Sequence, residues 1–279
     1  GSKALLFIDN YNNPEDCMAD IERLSCNVII SSRSKNPDVF LGYELDFLNL
    51  KENKKIFCNF YTIREEENEI LNEIIHLAGY LTIAVELLAK TARKQNLTML
   101  ELYGILQSKS FDIHTVIQSN WDNQGKELQE ELTKHFEIIF DLTSIRLDVQ
   151  KLQILQNFSI LPYLSIDQKK AIQWMNLDRE TSELMDLYDS GWLERSEDGK
   201  YSMHPLISYT IKKYAPPYIK DCRSLIKNLG KQIQINDGCN YWESFTYLPY
   251  ADAVGKYFCR RESETSNDLG KLYCELAVA

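Results

Sequence analysis

Four consecutive apolar residues, Leu5, Leu6, Phe7 and Ile8, run straight into Asp9 and Asn10. The design recurs where Val28, Ile29 and Ile30 lead into Ser31, Ser32 and Arg33. Apolar runs with no polar alternation predict strands buried on both faces, as in a parallel sheet covered by helices. The polar segment "YNNPEDCMADIERLS" between them predicts a turn and a short helix, and "KIFCNFYTI" predicts a third, weaker strand over 55–63. Strand and helix alternating in this way give the rhythm of a doubly wound α/β domain, and only its second half is present. Open sheets of that kind place ligands at the carboxyl ends of their strands, where Asp9 and Arg33 stand.

From Thr62 the apolar residues switch to a helical period. Thr62 and Glu65 fit a capping box, and Ile70, Leu71, Ile74 and Ile75 share one helical face. "GYLTIAVELLAKTARKQ" and "TMLELYGILQSK" predict two more helices, so residues 62–125 read as a small helical domain. Helices follow over 126–143 and 147–158, then one capped by Ser165 and one over 180–190. "GWLERSEDGKYSMH" predicts a hairpin turning at Asp198-Gly199, and Pro205 starts a helix that Pro216-Pro217 ends. Helices followed by a hairpin give the winged-helix order, assigned to 126–215. Residues 216–279 read as helical, with Leu269, Leu272, Tyr273, Leu276 and Ala277 spaced as in the first helix of a stacked repeat. The expected class is mainly α with a small α/β part: a partial parallel sheet over 1–61, a helical bundle, a winged helix and C-terminal helices.

Lys and Arg total 31 against 41 Asp and Glu, a net charge of -10, which argues against nucleic acid and anionic membranes as partners. No apolar stretch reaches the length of a membrane span and no signal peptide is seen, so a cytoplasmic setting is expected. The seven cysteines are odd in number and contain no CxxC pair, which predicts reduced thiols serving as small core residues rather than disulfides or a zinc site. No Gly-Lys pair is followed by Ser or Thr, so the phosphate-cradling GxxxxGK[ST] loop is absent.

The order of four short segments resembles the STAND signal-transduction ATPases with an NB-ARC type core. "LLFIDN" is similar to the Walker B strand, "VIISSR" to the sensor strand, "LAGYLTIAVELLAK" to the GLPLA segment and "MHPLI" to the MHD motif. The resemblance implies a P-loop NTPase domain cut into its C-terminal half over 1–61, with the P-loop upstream and tetratricopeptide-like repeats downstream. It implies ATP or ADP and Mg2+ as cofactors of a longer protein, with little or none bound by this chain alone. Asp9 would hold the magnesium ion, since a hard cation needs a hard oxygen ligand. Arg33 would fork onto a terminal phosphate, Thr82 would stand beside the base in place of the usual proline, and His204 would reach the β-phosphate. Asn10 replaces a second acid and cannot act as a base, which favours a slow switch over fast hydrolysis. Pro205 replaces the aspartate that normally follows the histidine. As residues alone, Asp9 also fits a turn cap, Arg33 a surface ion pair, Thr82 a helix start and His204 a structural histidine. His76, His114 and His135 receive no role.

The partners implied are the missing N-terminal part, a protein or peptide ligand of the downstream repeats, and further copies on activation. Two rival readings remain. A winged-helix DNA-binding regulator would insert the helix near 179–190, but Glu180, Glu183, Asp186 and Asp189 against one Arg179 would repel phosphates. A helical interaction scaffold would use no nucleotide at all.

Overall fold

The computed structural model describes residues 4–8, 11, 21, 23–31, 41–43, 45–119, 126–143, 145, 148–178, 182–234, 241–259 and 267–278. The chain divides into two units, 1–47 and 48–279. In the first, β1 (Leu5–Ile8) and β2 (Asn27–Ile30) pair in parallel, with Leu5 opposite Asn27 and Ile8 opposite Ile30. The Ser31 amide continues the ladder to the Ile8 carbonyl at 2.9 Å. Burial on both faces is not observed: Leu5, Phe7 and Ile29 are 63%, 60% and 51% exposed. Two strands make only a ribbon, and the apolar runs call for covering layers that the described residues of this unit do not supply.

The expected third strand over 55–63 is instead the second half of a helix, α1 (Leu50–Phe60). Its start lies upstream of the apolar run, where Asn49 and Glu52 form a reciprocal capping box at 3.1 Å each. With that register set, Asn53 and Phe57 fall on one buried face, and the cluster that imitates a strand is a helical stripe. The helix packs on α2 (Asn68–Leu77) and α3 (Thr82–Gln95), so it belongs to the helical unit.

The Thr62–Glu65 box does not form. The chain makes a short 3-10 turn over Glu65–Glu67 instead, in which the Glu67 carboxylate accepts the Arg64 amide at 2.9 Å. Leu71, Ile74 and Ile75 are buried on α2 as the period requires, with Ile70 packed at the edge. After α3 come α4 (Met99–Ser108), boxed by Thr98 and Glu101, and α5 (Ile113–Ser119). The turn between α2 and α3 uses two successive left-handed residues, Gly79 (φ 60°) and Tyr80 (φ 57°). A Cβ at Gly79 would lie 2.9 Å from Ile117 and 3.1 Å from the His114 amide, so only glycine lets α5 approach this turn.

Next stand α6 (Lys126–Leu142), α7 (Val149–Ser159), α8 (Gln168–Met175), α9 (Glu183–Asp189), the antiparallel pair β3 (Glu194–Arg195) and β4 (Tyr201–Ser202), and α10 (Pro205–Tyr214). That is the order expected over 126–215. Asp167, not Ser165, caps α8, accepting the Lys169 amide at 2.8 Å, because the chain is still extended at Ile166, which bridges to Tyr201. Gly199 turns the hairpin at φ 78°, and α10 ends ahead of Pro216. Three helices close the chain: α11 (Arg223–Ile233), α12 (Tyr241–Cys259, with Pro249 inside) and α13 (Asn267–Val278). Leu269 and Leu272 are buried, and the Tyr273 hydroxyl donates to the Gly255 carbonyl at 2.8 Å, where the bare glycine lets α12 and α13 meet.

One core runs through 48–279. Trp192 meets Phe140 edge-on at 5.0 Å, and Trp174 stands between Tyr247 and Tyr250 at 5.6 and 5.3 Å, tying α8 to α12. The fold is therefore mainly α, with a small parallel pair and a separate antiparallel pair. The cysteines depart from expectation: of the five described, all unbridged, Cys222 alone is buried, while Cys58, Cys259 and Cys274 are exposed. Apolar faces are filled by larger side chains, which leaves the thiols at the margins.

Two outcomes follow from the turn and cap chemistry. Gly79→Ala should lower unfolding stability by about 1–3 kcal/mol, read by urea titration, because a methyl meets both a left-handed φ and the start of α5. Asp148 caps α7 by accepting the Lys151 amide at 3.0 Å, a bond that holds its carboxyl below the usual value. A lowered folded value means its stabilisation is full above about pH 4 and is lost as the pH falls through that lowered value. Asp148→Ala should cost about 1 kcal/mol near neutrality and flatten the acid limb of the stability curve. Asp148→Asn should keep most of the cap and lose only the acid dependence.

Candidate functional site: a cleft between α3 and the winged helix

Two of the four expected site residues are described, and they open the two helices that border one cleft. Thr82 is the first residue of α3 and is exposed. His204 is the N-cap of α10 and is half-buried. A cavity of about 250 Å³ is lined by Ile83, Glu86 and Leu87 from α3, by Tyr188 and Gly191 at the end of α9, by Leu193, Glu194 and Arg195 along β3, and by Ile207 of α10. Ile83 follows Thr82 directly, and Ile207 lies on the first turn after His204. Asp9 and Arg33 lie outside the described residues.

His204 Nδ1 accepts the Leu206 amide at 3.2 Å, satisfying one of the orphan donors at the start of α10. A neutral imidazole that accepts at Nδ1 carries its proton on Nε2, so the ring is set up as a donor from that nitrogen. The ring of Tyr163 stands edge-on to it at 6.3 Å. Both carboxylates in the cavity wall are held. Glu86 pairs with Lys90 at 2.6 Å, and Glu194 accepts the Tyr163 hydroxyl at 2.8 Å and the Ser202 hydroxyl at 3.2 Å. Arg195 lies over the Tyr201 ring at 5.8 Å.

What holds the cleft at this width is a set of lysines from α3 that reach the end of α9. Lys90, 4% exposed, donates to the Tyr188 carbonyl at 3.2 Å and lies over the rings of Phe60 and Tyr188 at 4.6 and 5.0 Å. Lys94 donates to the Ser190 hydroxyl at 2.6 Å. The last carbonyls of a helix lack intrahelical partners and carry partial negative charge, so ammonium groups fit there on both counts. Burial lowers the Lys94 ammonium below the usual lysine value, and nearby Lys151 adds to this, against the pull of Asp186, Asp189 and Asp148. Gly191, at φ 81°, makes the close approach possible, since a Cβ there would lie 2.9 Å from Leu87.

The same contacts bear on the DNA-binding alternative. Asp186 of α9 is bound by Lys151 of α7 at 2.9 Å, and the end of α9 is covered by α3. The helix that would enter a groove is acidic and engaged within its own unit.

Sequence reasoning passed over Lys90, Lys94 and Gly191, which carry the cleft. "ELLAK" reads as the end of an amphipathic face, and no local pattern says which helix end a lysine will meet. His76 and His114 also meet, with ring centroids 4.0 Å apart, although neither had a motif to single it out. No family model and no curated protein matches this sequence. Among the described residues, no helix is long and apolar enough to cross a membrane.

Lys90→Ala should cost about 2–4 kcal/mol in urea unfolding, because it takes the ammonium off the Phe60 and Tyr188 rings, strips the stem from beside Gly191 and leaves Glu86 and a helix-terminal carbonyl without their cation. Lys90→Met, which keeps the stem, should recover about half of that loss.

Proposed function

We propose that this chain is part of a nucleotide-dependent regulatory switch of the STAND type, in which the ADP or ATP state controls how the winged helix sits on the helical domain. The observation that carries the reading is the shared cleft: the helix opening with Thr82 and the helix opening with His204 border one cavity. These are the two elements that the resemblance assigns to the base and to the β-phosphate. The His204 tautomer suits the role, since Nε2–H is a donor of the kind a phosphate oxygen accepts. The exposed faces of β1 and β2 agree with a sheet that further strands and helices complete.

In this reading Asp9 serves Mg2+ and Arg33 a terminal phosphate. Asn10, lacking a base, makes hydrolysis slow. The cavity's apolar residues, Ile83, Leu87 and Ile207, would pack against the nucleotide, while His204 would hold the winged helix closed in the diphosphate state. A ligand on downstream repeats would release it, and exchange would permit assembly with further copies and signalling. The setting proposed is cytoplasmic.

Without a P-loop the chain holds half a site, so ATP and ADP titrated calorimetrically into residues 1–279 should give no micromolar binding. In a longer form of the protein that carries the upstream sequence, His204→Ala should release bound ADP and raise basal signalling. Unchanged nucleotide retention and unchanged output in that variant would end the latch. A gene with no GxxxxGK[ST] within roughly a hundred residues upstream of Gly1 would end the whole reading.

A further inference from the structure

We propose that His76 and His114 form a two-imidazole site for a divalent transition-metal ion at the corner where α2 meets α5. The two rings lie 4.0 Å apart, centroid to centroid, tilted by 41°, and Tyr80 stands edge-on to both at 6.3 and 6.1 Å. Two imidazole nitrogens on one tetrahedral ion, each at about 2.0–2.1 Å, lie roughly 3.4 Å apart. In such a complex the ring centroids stand roughly 5 Å apart, so the rings, now 4.0 Å apart, take up the ion by swinging outward through side-chain rotation.

The local backbone builds the corner. His76 is in the last turn of α2 and exposed, and His114 is the second residue of α5 and half-buried. They meet because Gly79 lets the His114 backbone come within reach of the turn. Tyr80, beside them, holds a left-handed φ of 57°, a conformation that non-glycine residues adopt only under constraint. That strained conformation aims its ring at the histidine pair and screens one side of it.

Asp112 supplies negative charge to His114, and its position is fixed by accepting the Thr115 amide at 3.0 Å and hydroxyl at 2.6 Å. His135 is engaged separately, its Nδ1 accepting the Asp112 amide at 3.3 Å. No third His, Cys, Asp or Glu among the described residues joins the pair, so water completes the coordination sphere and the ion exchanges readily. Imidazole donors select Cu2+, Ni2+ and Zn2+ over Mg2+ and Ca2+. An ion there would clamp the end of α2 to the start of α5 across the turn that leads into Thr82.

NiCl2 titrated into the chain under reducing conditions, followed by calorimetry, should show a micromolar site. His76→Ala and His114→Ala should each weaken it by at least about tenfold, and the double variant should weaken it at least as much as either alone. His135→Ala should bind as wild type, and MgCl2 should give no heat. Because His76 is exposed, His76→Ala keeps the fold, and Ni2+ should raise the Tm of the wild type but not of that variant. Equal Ni2+ affinity in wild type and His76→Ala, or no binding short of millimolar in the wild type, overturns the site.

Discussion

A buried ammonium group sets the geometry of the larger unit. Lys90 sits in the middle of α3, 4% exposed, with Glu86 one turn earlier, two aromatic faces around it and the Tyr188 carbonyl as acceptor. An ion taken so far out of water is tolerable only where every donor and charge is matched. The matching partners come from α1, α3 and the end of α9, so the charge is satisfied only where these three elements meet. Lys94 and Lys151 extend the same logic to Ser190, Asp186 and Asp148. Hydrophobic contact alone would tolerate sliding between these surfaces, whereas a lysine aimed at one helix terminus defines register and distance.

That docking is what produces a cleft. Ile83, Leu87 and Ile207 face each other across a cavity because Lys90 and Gly191 hold α3 against the end of α9 a short way along. The starts of α3 and α10 are left bordering that cavity, and His204 caps its own helix through Nδ1. In the proposed switch, a ligand bridging the two helix starts would add to the lysine contacts. The proposed ion site sits at the turn before Thr82, so its stiffness would be felt at the start of α3.

Local chemistry was readable at several points where it acts over a few residues. Pro205 at the start of α10, the turn at Gly199 and the apolar face of α2 all appear as their spacing predicts. Failures have a common cause. "KIFCNFYTI" carries a strand-like composition, but Asn49 and Glu52 upstream cap a helix that runs through it, so register came from outside the window. Ser165 lost its cap role to Asp167 because Ile166 pairs with Tyr201, a partner far along the chain. Thr62 lost its box to a 3-10 turn that begins later. The thiols were assigned to the core by residue type, yet the interior was filled by aromatic and branched side chains.

By itself, then, the sequence determined element types over most of 62–279, the winged-helix order and the acidic character of α9, since periodicity, caps and charge are properties of neighbouring residues. Only the tertiary structure decided that α1 joins the helical unit, that the helices starting after Leu81 and His204 border one cavity, that Lys90 finds the end of α9, and that His76 meets His114. Each of these depends on which surfaces come together, and that choice is made by the whole core at once rather than by any segment within it.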